Sequence, residues 1–245
     1  MFPTLNIGPL SLQAPGLIML LGVWLGLTFA DRLASRFKVD GEALYNLVFT
    51  ALIAGILGAR VAYIASAPQA FLDKPLTMIA LNPTLLDPIG GAVVGCMAAL
   101  IHAHQNDLMA WKTLDALTPL AAVFNLAWGI SHLSSGNAYG LKTNLPWGIK
   151  LWNATRHPTQ VYEIIAGLLI LGFVWFKARK STPVNGQLFG TFLALASAAH
   201  LVISGFTGGS DLVIYGIRQG QITAFAVLGL SLWILGKTFP HGSDS

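Results

Sequence analysis

Seven apolar runs, at 14–30, 43–66, 88–104, 114–133, 160–176, 186–206 and 219–236, decide what this chain can become. A helix needs roughly 20 largely apolar residues to cross the hydrocarbon of a bilayer. Backbone inside lipid must also satisfy its own hydrogen bonds, which a helix does within one segment. Only 10% of the 245 residues are charged, against about 25% in ordinary soluble domains. Such a chain cannot solvate its surface in water, and it is too apolar to stay disordered. Its 26 glycines and 12 prolines suit membrane helices, whose neighbours repair interrupted backbone bonds. The expectation is an all-α integral membrane protein, one transmembrane domain over residues 1–245 built as a bundle of about seven helices. The run at 88–104 is short and glycine-rich, and a long connection lies at about 134–158.

The charges then orient the bundle. With the N-terminus outside, the inner side holds Arg32, Arg36, Lys38, Lys112, Lys177, Arg179, Lys180 and Lys237. The outer side holds Lys74, Lys142, Lys150, Arg156 and Arg218. The dense clusters at 32–38 and 177–180 both fall inside, as the positive-inside rule requires, so the C-terminus is expected in the cytoplasm. The net charge of +4 is spent at span ends rather than on a basic patch, and no nucleic-acid motif is present. Cys96 is the single cysteine, which excludes an intramolecular disulfide and a cysteine-based zinc site. In its apolar run it reads as a small buried packing residue. No basic region or cleavage site of a signal peptide opens the chain, so the first run is expected to stay as a helix. No internal repeat of the kind found in inverted-repeat transporters is visible, and the inner halves of the spans offer no polar path.

The unusual polar residues collect toward the outer side. Arg60 lies within the second run, where an arginine must face protein, water or a headgroup. A lipid phosphate would suit its fork, and snorkelling to the interface would also account for it. Arg156 and His157 precede Pro158, a residue suited to the first turn of a helix, whose free amides then form an anion site at the lipid–water boundary. Gln160 and Glu163 share a helix face one turn deeper. An intramembrane carboxylate is a functional candidate, with Arg60 as a plausible partner; a structural ion pair between two spans is the alternative. His132 and Asn137 lie where the fourth run exits. Gly90 and Gly91 would let a lipid, or equally a neighbouring helix, approach closely. His102, His104 and His200 have no ligand-like spacing with acidic residues, so neither a metal nor a cofactor is expected.

These residues carry a resemblance. The chain resembles the bacterial prolipoprotein diacylglyceryl transferase family. Gly58-Ala59-Arg60 with Tyr63 is similar to its Gly-x-Arg-x-x-Tyr stretch, Gly90-Gly91 to the end of its His-Gly-Gly motif, and Thr143–Gly148 to its Thr-Asp-Leu-Pro-Trp segment. Arg156 to Glu163 matches the Arg-His-Pro-(Ser/Thr)-Gln-(Leu/Val)-Tyr-Glu signature throughout, and Gly220-Gln221 echoes the Gly-Gln that opens the last span. The resemblance implies a multi-pass protein of the bacterial inner membrane that moves a diacylglyceryl group from phosphatidylglycerol to the lipobox cysteine of a prolipoprotein. The partners implied are phosphatidylglycerol or another anionic lipid, and a prolipoprotein or another exported protein. Residues and resemblance together make His132, His157 and Glu163 the catalytic candidates. The substrate-binding candidates are Arg60, Tyr63, Gly90, Gly91, Asn137, Gly140, Arg156, Gln160 and Tyr162.

The chain also departs from the family pattern. The family signature Gly-Arg-x-Gly-Asn-Phe-x-Asn-x-Glu-x-x-Gly, registered without a gap on Gly140, places Gly129 at the arginine, His132 at the asparagine and Asn137 at the glutamate. Ile89 stands for the histidine of His-Gly-Gly, Pro15 for a tyrosine early in the first span, and the segment Gly205–Asp211 holds no late arginine. Two readings therefore stay open: a transferase in which His132 replaces a lost base, and a catalytically silent relative that holds a lipid or an exported partner in the same outward-facing cavity.

Overall fold

The computed structural model describes residues 4–7, 10–72, 85–151, 153–180, 185–209, 212–214 and 217–238. Lys74, Ser210, Asp211 and most of the 67–87 connection lie outside the described residues. The helices are α1 (Ala14–Ala34), α2 (Gly41–Ser66), the short α3 (Gln69–Leu72), α4 (Pro88–Gln105), α5 (Ala110–Ser135), α6 (Thr159–Lys180), α7 (Gln187–Ser204) and α8 (Gln219–Thr238). Each of the seven apolar runs is thus a helix. Among the described residues six helices are long and apolar enough to cross a membrane. The helix outside that six is α4, whose last turn carries His102, His104 and Gln105. The architecture is that of an α-helical membrane protein. Large apolar side chains such as Trp24, Phe49, Leu169, Phe225 and Trp233 are exposed on it, a pattern tolerated when the surrounding solvent is lipid.

Strand also occurs, which the helical reading did not anticipate. Three two-stranded antiparallel hairpins pair β1 (Thr4–Ile7) with β2 (Leu10–Gln13), β3 (Ile149–Leu151) with β4 (Ala154–Arg156), and β5 (Leu212–Ile214) with β6 (Ile217–Arg218). They occupy connections, where backbone outside a helix must find partners of its own.

The chain divides into two compact units. The first takes in residues 1–38 and 114–245, and α5 is its organising helix. Gly22 and Gly26 of α1 bring that helix against Ala127 and Leu120 of α5. From the other side Gly129 of α5 meets the backbone of α6 at Glu163 and Ile164, and Gly167 of α6 meets Leu126. Small residues at helix crossings let backbones approach where no hydrophobic effect drives association. Asp115 of α5 is 1% exposed. It accepts hydrogen bonds from the amides of Gly186 (2.6 Å) and Phe189 (2.8 Å), so a carboxylate from one helix caps the N-terminus of α7. At the same end the Arg36 guanidinium donates to the carbonyls of Ala178 (2.8 Å) and Arg179, the last orphan acceptors of α6.

The second unit, residues 39–113, is built on α2 and α4. Gly91 and Gly95 of α4 face Ala59, Gly55 and Ala51 of α2, and a Cβ at Gly91 would stand 2.9 Å from the Gly55 carbonyl. Asp87 caps α4 by accepting from the Gly90 amide at 2.5 Å. Cys96 is exposed, contrary to the buried packing role expected of it. The glycine face of α4 turns toward α2, which leaves the residue after Gly95 on the outer flank of the helix.

Candidate functional site

Within the first unit the C-terminal end of α5 and the N-terminal end of α6 form a polar cluster. The crossing at Gly129 holds α6 so close that Glu163 comes level with His132, one turn further along α5. His132 Nδ1 and Glu163 Oε2 are 2.7 Å apart, with both side chains mostly buried. An ionised carboxylate can only accept, so Nδ1 is the donor in this bond, and in a neutral ring the lone pair then falls on Nε2. Trp128, one turn below, sets its ring edge-on to the imidazole at 5.2 Å. The arrangement is an oriented base: a carboxylate fixes tautomer and direction while the second nitrogen is left to take a proton.

His132 lines a cavity of about 450 Å³ together with Thr4, Gln13, Pro15, Ser131 and Asn137. Among the described residues no Asp, Glu, Lys or Arg lines it; hydroxyl and amide groups do. Next to it the segment after α5 is laced between two others. Leu141 donates to the Phe206 carbonyl (2.8 Å), Gly208 to the Tyr139 carbonyl (2.6 Å), His157 to the Leu141 carbonyl (3.0 Å) and Thr143 to the Thr155 carbonyl (2.9 Å). Gly140 sits where these strands press closest. A Cβ there would lie 2.2 Å from the His157 carbonyl oxygen and 2.5 Å from its Cβ. Gly140→Ala must therefore displace backbone, and it is expected to lower the melting temperature and the activity together. An unchanged melting temperature would contradict the packing described.

The first turn of α6 is anchored to the same segment. Thr159 donates to the Ala138 carbonyl, and Gln160 Nε2 donates to the Asn137 carbonyl at 2.8 Å. Because that contact requires the amide nitrogen, Gln160 presents its oxygen elsewhere, and this atom is buried without a partner. Arg156 donates to the Gly140 carbonyl at 3.2 Å and lies over the Tyr139 ring at 5.0 Å, while its Nε is buried and unpaired. One unmet donor and one unmet acceptor, four residues apart around the start of α6, make this stretch a candidate for contact with a ligand. His157 approaches the Tyr162 hydroxyl at 3.4 Å, which accepts from Trp147 Nε1 at 2.9 Å, and stacks on Phe206 at 5.1 Å.

The remaining candidates belong to the second unit. Arg60 donates to the Leu85 carbonyl at 2.9 Å and lies over the Phe71 ring at 5.6 Å; Tyr63 meets Phe71 edge-on. Gly91 is buried against α2, and a Cβ at Gly90 would strike Ala62 at 2.2 Å. The structure thus brings together His132 with Glu163, Asn137 with Gln160, and Gly140 with Arg156 and His157. The sequence reading missed Trp128, Ser131 and Gln13 in the cavity wall. Trp128 had a signal, since a residue four before His132 on a helix lies on the same face; Ser131, one step away, had none. Among the described residues no three of His, Cys, Asp and Glu gather as metal ligands.

The family profile described as prolipoprotein diacylglyceryl transferase matches residues 3–236. The chain belongs to the prolipoprotein diacylglyceryl transferase family. It is 30% identical to the phosphatidylglycerol–prolipoprotein diacylglyceryl transferase of Synechococcus elongatus, over 96% of this chain and 88% of the relative. It is 28% identical to the enzyme of that name from Vibrio parahaemolyticus, over 94% and 86%. The corresponding protein of Finegoldia magna is 25% identical over 87% and 86%. Four of the departures read against the diacylglyceryl transferase signature fall within the first unit at or beside this site. Pro15, His132 and Asn137 all line the one cavity, and Gly129 is the residue that lets Glu163 reach His132.

Proposed function

We propose that this protein transfers a diacylglyceryl group from phosphatidylglycerol to the lipobox cysteine of an exported prolipoprotein, with His132 as base. The observation that carries the reading is the 2.7 Å bond between His132 and Glu163 at the wall of the cavity. His132 Nε2 takes the thiol proton, and the thiolate sulfur attacks the glycerol carbon bonded to the lipid phosphate. The carbon–oxygen bond breaks, glycerol phosphate leaves with the electron pair, and the imidazolium returns the proton to it. Arg156, with the amides that open α6, stabilises the leaving phosphate. His157, Tyr162, Asn137, Gly140 and Gln160 shape the lipid's surroundings, and Arg60 and Tyr63 serve as lipid-contacting residues of the second unit, where Gly90 and Gly91 let α4 close on α2.

The same reading places the chain as a single domain of seven membrane helices, α4 included, in the bacterial inner membrane. The N-terminus and the 134–158 segment face the periplasm, and the C-terminus faces the cytoplasm. Support comes from the bonds of Arg36 to Ala178 and Arg179, which put both dense basic clusters at one end, as the positive-inside rule asks of the cytoplasmic side. The second reading, a silent lipid- or partner-binding relative, is favoured by Gly129, which supplies no guanidinium where the family signature has one.

Expression in a bacterium depleted of its own diacylglyceryl transferase separates the two. Mature, lipid-modified lipoprotein is the expected outcome, lost in Glu163→Gln. Correct insertion without rescue would leave the silent relative as the better reading.

A further inference from the structure

Beneath the candidate site the first unit holds a second cavity of about 460 Å³ between α5, α7 and α8. Its inner part is lined by Ala121, Phe124, Phe192 and Val227. Of its polar side chains, Ser197 and Thr223 already spend their hydroxyl protons on carbonyls of their own helices (Leu193 at 2.6 Å, Gly220 at 3.0 Å). Asn125 and His200 differ: among the described residues neither side chain has a hydrogen-bond partner. Both also line a small cavity of about 40 Å³ that reaches Glu163, and Trp128 and Ala196 complete the wall the two cavities share. The larger space is therefore a pouch, apolar inside and polar at one mouth, and the mouth faces the carboxylate that holds His132.

We propose that this pouch receives one acyl chain of the glycerolipid, with the ester carbonyl of that chain accepting a hydrogen bond from Asn125 or His200. The chemistry of the walls selects the occupant. An apolar tail fills the inner part without stranding a polar group, and a carbonyl at the mouth satisfies a donor otherwise unpaired within apolar helices. A wholly apolar guest would leave Asn125 and His200 unmet, and a charged one would meet no counter-ion along the inner walls. The ester at the mouth sets the glycerol backbone beside Glu163. The pouch thus acts as a ruler for the lipid: Ala196, in the shared wall, keeps the passage open because its side chain is small. The inference rests on a glycerolipid being the ligand of this site, as in the proposed transfer, but not on turnover.

The test uses the full chain in nanodiscs with a phosphatidylglycerol carrying a photoreactive diazirine midway along one acyl chain. Irradiation is expected to label 121–124 of α5 and 192–196 of α7, beside general labelling of lipid-facing positions such as Leu20, Leu169 and Phe225. Ala196→Trp fills the passage and is expected to reduce labelling of the pouch about tenfold while sparing the lipid-facing positions. Val227→Phe fills it from α8 and serves if the tryptophan variant inserts poorly. Labelling confined to lipid-facing positions in the unaltered chain, or a pouch pattern unchanged by both substitutions, overturns the proposal. A chain that labels its pouch but transfers nothing keeps the pouch and removes the transferase reading. Transfer without pouch labelling does the reverse.

Discussion

His132→Phe lowers diacylglyceryl transfer by about 10²–10⁴-fold, the range that loss of a positioned base produces. The phenyl ring keeps the edge-on contact with Trp128 but leaves the Glu163 carboxylate without its partner, so the melting temperature is expected to fall while lipid binding changes little. Glu163→Gln removes the acceptor that fixes the Nδ1 proton, allowing the ring to adopt the other tautomer. Its effect comes through His132, so the double variant is expected to be no slower than His132→Phe alone. Steady-state kinetics of the four proteins check this. Additive losses would mean that the two residues act separately, despite the 2.7 Å between them.

The second large effect is on stability. Asp115→Ala strips two amides at the start of α7 of their acceptor and leaves them buried, at a cost on the order of 3 kcal/mol. Thermal unfolding of the purified protein in detergent should show a clear fall in the melting temperature. Asp115→Asn keeps one acceptor oxygen and is expected to lie between. Asp115 lies five turns of α5 from His132, so the fraction that remains folded should retain its specific activity. An unchanged melting temperature in Asp115→Ala would mean that the cap contributes nothing.

Much of the fold is legible in the sequence because a membrane span declares itself by length and apolarity alone. The seven runs and the seven long helices coincide to within a few residues at each end. The largest discrepancies are of four residues, at the end of α1, the start of α5 and the end of α6. Lys112 looks like a loop residue to a hydropathy reading. Asp115 falls inside the expected run, but its capping of α7 is a tertiary fact with no local trace. The hairpins escaped for the reverse reason: strands of two to four residues are too short to show a period.

The site was legible in composition and less so in pairing. His132 and Glu163 are both polar residues near the ends of apolar runs, and the sequence suggests Arg60 as the partner of Glu163 where the structure pairs it with His132. Their bond joins residues 31 apart in the chain. It depends on how closely α6 approaches α5, which Gly129 decides. Asn125 and His200 illustrate the same limit. Each is an isolated polar residue within a span, and only the packing of α5 against α7 shows that they share a mouth.

The central claim is that a carboxylate-held histidine drives transfer at this cavity, and one measurement meets it directly. Purified protein, phosphatidylglycerol and a lipobox peptide are incubated together, and the peptide is read by mass spectrometry. A diacylglyceryl thioether on the cysteine, with release of an equal amount of glycerol phosphate and loss of both in His132→Phe, is the result the structure predicts. A peptide left unmodified by the correctly inserted wild-type protein, or modified equally by His132→Phe, would contradict it.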